Sequence, residues 1–321
     1  VAKALFNKGV TLGALGRSDE EIAVYDRVVD RYGDRQEAPL AEKVASALGN
    51  KGLTLGALGR SDEEIAIYDR VVDRYGDRQE APLAEKVAKA LVNKGVALGA
   101  LGRSDEAIAV YDRVVDRYGD RQEAPLAEQV AKALVNKGVR LGTLGRSDEA
   151  IAVYDRVVDR YGDRQEAPLA EQVASALNNK GFRLRTLERS DEEIAVYDRV
   201  VDRYGDRQEA PLAEQVASAL GNKGWLQYEL GAYADSVASS RAALARKPRE
   251  TFIRCNLGLA LLHLGEIEQA RAAYAEALAE IATPEDLDQL ALQDLDAALA
   301  RRPDLPGGQE VREMLTSRQW S

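Results

Sequence analysis

Between residues 81 and 119 the chain twice shows apolar positions at helical spacing. Val87, Ala90, Leu91, Ala97, Leu98 and Leu101 recur at steps that place them on one side of a helix. Pro82 suits the first turn of that helix, where a missing N–H is harmless. Gly102 predicts its end, and Ser104 predicts the N-cap of a second helix. The second helix is expected to bury Ile108, Tyr111, Val114, Val115 and Tyr118, with Gly119 as its stop. Two antiparallel helices follow. Gly95 and Gly99 stand out inside the first, because a glycine there costs about 1 kcal/mol relative to alanine. Such a cost points to close packing, or to room that the missing side chains leave.

The same pair returns along the chain. "VAKALFNKG" at Val1 reappears as "VASALGNKG" at Val44, "VAKALVNKG" at Val87 and Val130, "VASALNNKG" at Val173 and "VASALGNKG" at Val216, always 43 residues on. Such strict spacing means one unit stacked on itself. Ser18, Ser61 and Ser190 are each followed three residues later by Glu21, Glu64 and Glu193, which predicts capping boxes. Three segments result: residues 1–215 hold five near-identical repeats, 216–281 shorter divergent ones, and 282–321 capping helices. In the last segment Thr283 is the expected N-cap before Pro284, and "GGQEVREMLTSRQWS" the expected final helix. Val1 opens the chain without a methionine, in mid-repeat and without a comparable cap, so a longer parent chain is expected.

"NKGVALGALGRSDEAIAVYDRVV" resembles the tetratricopeptide repeat, with a small residue at Gly95, then Leu98, Gly102 at the turn, and Ala107 and Tyr111 in the second helix. "CNLGLALLHLGEIEQARAAYAEAL" is similar to the family's usual 34-residue form, with Asn222 and Asn256 34 apart and Pro248 after the intervening helix. The first five copies resemble the longer repeats of kinesin light chains and of some prokaryotic arrays. Their extra nine residues fall in "GDRQEAPLAE" and are expected to lengthen the first helix. The resemblance implies an all-α solenoid of antiparallel helix pairs in a right-handed superhelix. It also implies that the first helices line a concave groove that binds other proteins. One departure is Lys8, Lys51, Lys94, Lys137, Lys180 and Lys223, where the family usually has leucine. Each lysine is expected to bury its stem and carry its ammonium to a carboxylate of a neighbouring helix.

Differences between copies gather in the first helix. The varying columns are Lys3/Ser46/Lys89/Lys132/Ser175, Phe6/Gly49/Val92/Val135/Asn178, Val10/Leu53/Val96/Val139/Phe182, Gly13/Gly56/Gly99/Gly142/Arg185 and Ala14/Ala57/Ala100/Thr143/Thr186. Beside them runs Thr11/Thr54/Ala97/Arg140/Arg183. Their steps of three and four place them on one helix face, which the resemblance assigns to the groove. On this reading Gly13, Gly56, Gly99 and Gly142 keep the groove floor open, Arg185 fills it, and Gly95 with its equivalents lets the paired helix approach. The alternative is an exposed face that drifts. Against it, the exposed charges of the second helix do not vary, although stacking of acidic on basic stripes would also hold them fixed.

The expected partner-binding residues are Phe6, Lys132, Arg140, Phe182, Arg183, Arg185, Trp225 and Tyr228, together with Asn7, Asn50, Asn93, Asn136, Asn179 and Asn222. An amide donates and accepts, which suits an extended main chain. The resemblance gives that asparagine this task, whereas a bond to an adjacent first helix would tie repeats together. The later groove carries Lys132, Arg140, Arg183 and Arg185, so an acidic stretch of polypeptide would match it, Arg185 pairing a carboxylate. Arginines solvated on a wet face, and Trp225 with Tyr228 as core packing, are the plainer alternatives.

A net charge of −10 argues against general nucleic-acid or membrane-surface binding. One cysteine excludes an internal disulfide framework and fits a reducing, cytoplasmic setting. No apolar run is long enough to span a bilayer. Cys255 and His263 share one helix without a third group for a triad or a metal; Cys255 reads as buried and His263 as solvated. "GALGRS" lacks the lysine and the preceding strand of a phosphate loop. The sequence thus predicts no catalytic residue, cofactor or metal. It predicts a scaffold for a protein or peptide ligand, rather than an enzyme. A spacer that self-assembles, through its ends or its convex faces, and a sensing arm of a larger protein are the other readings.

Overall fold

The computed structural model describes residues 1–318. Among them all regular structure is helical, and helices pack in consecutive pairs. The pairs are α1 (Ala2–Ala14) with α2 (Ser18–Tyr32), α3 (Ala38–Ala57) with α4 (Ser61–Tyr75), and α5 (Ala81–Ala100) with α6 (Ser104–Tyr118). Next come α7 (Ala124–Thr143) with α8 (Ser147–Tyr161), α9 (Ala167–Thr186) with α10 (Ser190–Tyr204), and α11 (Ala210–Glu229) with α12 (Tyr233–Arg246). α13 (Thr251–His263) and α14 (Ile267–Glu280) form the last pair, before α15 (Pro284–Leu287), a π turn at Asp288–Leu292, α16 (Gln293–Arg301) and α17 (Gly308–Thr316). The chain divides into two compact units, Val1–Ala176 and Leu177–Ser321.

The extra segment of the long repeats does extend the first helix: α3, α5, α7, α9 and α11 have 20 residues, whereas α13 has 13. A glutamate in extended conformation starts α3, α5, α7 and α11, with proline in the first turn. In the first unit α1 packs on α3, α3 on α5 and α5 on α7, while α2, α4 and α6 lie against the following first helix. The first helices of this unit therefore form a continuous wall.

What sets the spacing within a pair is a tyrosine ring lying on a glycine. Tyr25, Tyr68, Tyr111, Tyr154 and Tyr197 are fully buried. A Cβ on Gly9, Gly52, Gly95, Gly138 or Gly181 would fall 2.4–2.5 Å from a ring carbon of the respective tyrosine. This answers for the first helical glycine: its missing side chain is the seat of the ring. In the sixth copy Ser240 replaces the tyrosine and faces Gly224, and Tyr274 restores the arrangement on Gly258.

Neighbouring repeats are also tied by charge. Lys51, Lys94, Lys137 and Lys223 reach Asp26, Asp69, Asp112 and Asp198 of the preceding second helix at 2.5–2.6 Å, as expected. Arg74 pairs with Asp34 of the preceding repeat at 3.2 Å, with looser equivalents at Arg117–Asp77 and Arg160–Asp120. These contacts account for much of the constancy of the second helix, since a change there disturbs two repeats.

The capping boxes do not form. Ser18, Ser61 and Ser190 are already helical, and the N-caps are Arg17, Arg60 and Arg189 without a side-chain cap bond. Instead each of these arginines donates two hydrogen bonds to Glu20, Glu63 and Glu192, while Glu21, Glu64 and Glu193 turn inward. The predicted cap at Thr283 does form, its Oγ1 accepting from Asp286 N at 3.1 Å. The end of the final predicted stretch, 319–321, lies outside the described residues.

Three outcomes follow. Gly95→Ala should lower the stability read from urea unfolding by about 1–2 kcal/mol, because overpacking against Tyr111 exceeds the gain in helix propensity. Gly49→Ala, whose Cβ would meet nothing within 4 Å, should raise it by about 1 kcal/mol. Hydrogen bonds from Arg35, Arg78, Arg121, Arg164 and Arg207 hold Glu37, Glu80, Glu123, Glu166 and Glu209 down to about 2, from an ordinary 4.5. Carboxylates lowered by folding stabilise it above their unfolded value and lose that effect as they protonate. Thermal melts followed by circular dichroism should therefore show stability falling as pH drops from 4.5 towards 2, and falling less steeply in high salt.

Candidate functional site

The varying columns lie on the open side of the first-helix wall only in part. Val10, Leu53 and Val96 are 46%, 48% and 51% exposed and make an apolar stripe across α1, α3 and α5. Ala14, Ala57 and Ala100 are exposed beside it, and so are Lys3 and Lys89. The column of Phe6 behaves differently. Val92 and Val135 are buried between helices, Asn178 is half-buried and donates to Gln215 O and Oε1, and Phe6 packs on Tyr25 with Lys43 over its ring.

Gly49 is the gap in that column. A cavity of about 190 Å³ opens there, lined by Phe6, Gly49, Leu53, Tyr68, Lys86 and Lys89 among others. It exceeds the roughly 150 Å³ apolar cavity known to hold a benzene ring. Its wall is part apolar and part polar, with Lys86, which pairs with Glu85 at 3.3 Å, and Lys89 among its residues.

The second glycine column is not an open floor. A Cβ on Gly13 or Gly56 would meet the carboxylate of Glu21 or Glu64 at 2.5–2.9 Å, and one on Gly99 would meet Arg140 at 3.0 Å. Side chains from the second helix, or from the next first helix, fold across these glycines. Arg185 does fill its position, where it pairs with Glu193 at 2.8 Å and donates to Asn222 O at 3.1 Å.

The expected cations of the later copies are therefore engaged within the chain. Arg140 donates to Gly99 O at 3.1 Å, Lys132 pairs with Glu128 at 2.5 Å, and Arg183 lies over the Phe182 ring, whose side chain is half exposed. The asparagines turn towards the tyrosines instead of adjacent first helices. Asn50 Nδ2 donates to Tyr25 Oη at 3.1 Å, and Asn93 and Asn222 stand at the same place beside Tyr68 and Tyr197. Asn136 and Asn179 are half-buried, and Asn7 in the first copy is exposed.

Trp225 and Tyr228 belong to an aromatic cluster of the second unit. Trp225 stacks on Tyr228 at 5.4 Å and tilts against Phe252, and Tyr228 is buried. His263 is half-buried instead of solvated: it stacks on Tyr233 at 4.3 Å, its Nε2 is 3.2 Å from Tyr228 Oη, and burial lowers its pKa. Cys255 is buried, which pushes its thiol up to about 12, far from a reactive thiolate.

What sequence reasoning missed is the role of Glu21 and Glu64. They looked like cap residues, and the signal that pointed elsewhere is their replacement by Ala107 and Ala150 in the two copies whose following first helix carries Arg140 or Arg183. Among the described residues no helix is long and apolar enough to cross a membrane, and no three His, Cys, Asp or Glu side chains are placed to hold a metal ion.

Comparison with known families matches the tetratricopeptide repeat at residues 2–34 and 45–77, 86–163, and 135–208 with 222–286. No curated protein sequence matches the chain. Among solved structures, a tetratricopeptide repeat protein from Parabacteroides merdae superposes with a TM-score of 0.53 at 14% identity, over 90% of this chain and 96% of its own. BtubC (BKLC) from P. vanneervenii gives 0.56 at 18% identity, over 68% of this chain and 89% of its own. At these identities the likeness concerns the fold. Helix pairs seated by tyrosine on glycine, seven times signed by Asn-Lys-Gly or its variant and matched along most of the chain, make this protein a member of the tetratricopeptide repeat family.

Proposed function

We propose that the chain is a protein-interaction scaffold whose first-helix wall, between α1 and α5, receives an extended or helical segment of a partner. The observation that carries this reading is the combination of an exposed apolar stripe with the Gly49 cavity beside it. Val10, Leu53 and Val96 present large apolar side chains to solvent in one row, which is the usual mark of an interaction surface rather than of a free one. The cavity adds a socket for one side chain, and such sockets concentrate binding energy. Lys86 and Lys89 in the lining give the socket polar character on one part of its wall.

The acidic partner expected from the sequence loses its main support, because Lys132, Arg140 and Arg185 are already occupied by groups of the chain itself. The stripe and the cavity do not depend on that charge. Spacer or assembly readings draw on the identical second helices. The pairing of Lys51, Lys94 and Lys137 with the preceding repeat supplies a reason for that identity without a second molecule.

Selection of a random peptide library on the purified chain tests the reading. Selected peptides should bind Gly49→Leu or Leu53→Asp at least about tenfold more weakly, the loss of one buried anchor. Arg70→Ala, on the second helix of the same repeat, should bind them as the parent does. Peptides insensitive to both wall substitutions would overturn it.

A further inference from the structure

One position of the repeat is solved in three ways. In the fifth copy the carboxylate of Glu193, fully buried, takes the guanidinium of Arg185, which also donates to the main-chain carbonyl of Asn222 on the next first helix. In the third copy the carboxylate is replaced by Ala107, and Arg140 of the next first helix lies over Gly99 and donates to its carbonyl. Both intervals thus hold a guanidinium. In the first two copies the carboxylate is present as Glu21 and Glu64, but the positions that supply arginine elsewhere are Gly13 and Gly56, followed by Thr54 and Ala97.

Neither Glu21 nor Glu64 makes an ion pair among the described residues. Glu21 is only 8% exposed. Glu64 accepts one hydrogen bond, from Tyr68 Oη at 3.1 Å, and burial raises its pKa with no neighbouring cation to lower it. Arg185, by contrast, lowers that of Glu193 against the effect of burial. A carboxylate withdrawn from water without a cation is costly, and a guanidinium that met it would be held by charge-assisted bonds.

We propose that Glu64, with Glu21 as its neighbour, reads basic side chains of the segment that docks on the first-helix wall. The intended ligand group is a guanidinium occupying the place that Arg185 takes in the fifth copy, between the Glu64 carboxylate and the main-chain carbonyl of Asn93. This rests on the wall being a binding surface and names the chemistry of what it binds. Tyr68 joins the two parts of the site: it lines the Gly49 cavity and its hydroxyl donates to Glu64. Packed helices stand about 8–10 Å apart, and an extended polyproline II segment advances about 3.1 Å per residue with every third side chain on one face. The two carboxylates of successive repeats therefore suit arginines three residues apart, with an apolar residue near them for the cavity.

Two measurements test it. The first needs no partner: Gly56→Arg grafts the arrangement of the fifth copy onto the second. Thermal melting should show Gly56→Arg more stable than the parent, and that gain should shrink in a Glu64→Ala background. Glu64→Ala itself carries the residue that copies three and four already have, Ala107 and Ala150, so it retains the fold. A gain of equal size with and without Glu64 overturns the proposal. The second uses peptides selected on the parent chain. They should be enriched in arginine at two positions three apart, and Glu21→Ala with Glu64→Ala should weaken them about tenfold or more, as should Gly56→Arg. Peptides that need Gly49 and Leu53 but carry no basic enrichment leave the wall as a binding surface and overturn the reading of Glu64. Peptides indifferent to Gly49 and Leu53 overturn both.

Discussion

The contact on which the rest depends is a tyrosine ring seated on a helical glycine. It fixes how closely the two helices of a repeat approach, because the ring is fully buried and has no room to retreat. Glycine at that seat weakens the first helix by about 1 kcal/mol each time, and the burial of an aromatic ring more than offsets it. The same ring carries its hydroxyl to the wall. Tyr25 Oη meets Asn50 of the next repeat, and Tyr68 Oη meets Glu64 of its own. Packing within a repeat and chemistry on the wall are thereby two ends of one side chain.

Much of the architecture was legible in the chain. Helix pairs, their glycine stops, proline in the first turn and the longer first helix all follow from local rules that the structure obeys. The lysine-to-aspartate pairing was legible too, since a lysine at an apolar position must lead its charge out to something. Local rules failed where a side chain had a choice between its own backbone and a distant partner. Glu21 and Glu64 stand at the spacing of a capping box, yet glycine on the facing helix offers them space, and they take it. Whether the space is open depends on a residue eight positions earlier, in a different helix, which no helix-cap rule consults.

The site was legible in outline but not in detail, for a related reason. Periodicity put the variable columns on one helix face, and Val10, Leu53 and Val96 are indeed exposed. It could not tell exposure from burial along the edge of that face. Val92 and Val135 are sealed by the neighbouring first helix, while Gly49, in the same column, opens a cavity because it lacks the side chain that would close it. Arginines at groove positions looked free from the sequence alone. Each is engaged by something only the folded chain supplies, whether a helix carbonyl of the preceding repeat for Arg140 or an inward carboxylate for Arg185.

The division of labour between the two helices follows from these contacts. A second helix lies between two first helices, so most of its residues answer to two repeats at once, and a substitution there must suit both. A first helix has one face that answers to no neighbour. Near-identical repeats then diverge mostly in the first helix, and chiefly through the presence or absence of a side chain that fills a gap or neutralises a charge. Glycine at residue 49 removes volume, and glycine at residue 56 removes the cation that a buried carboxylate has elsewhere. Both leave the fold intact because the tyrosine seat lies at a different glycine, so the wall is free to change without loosening the pair that holds it.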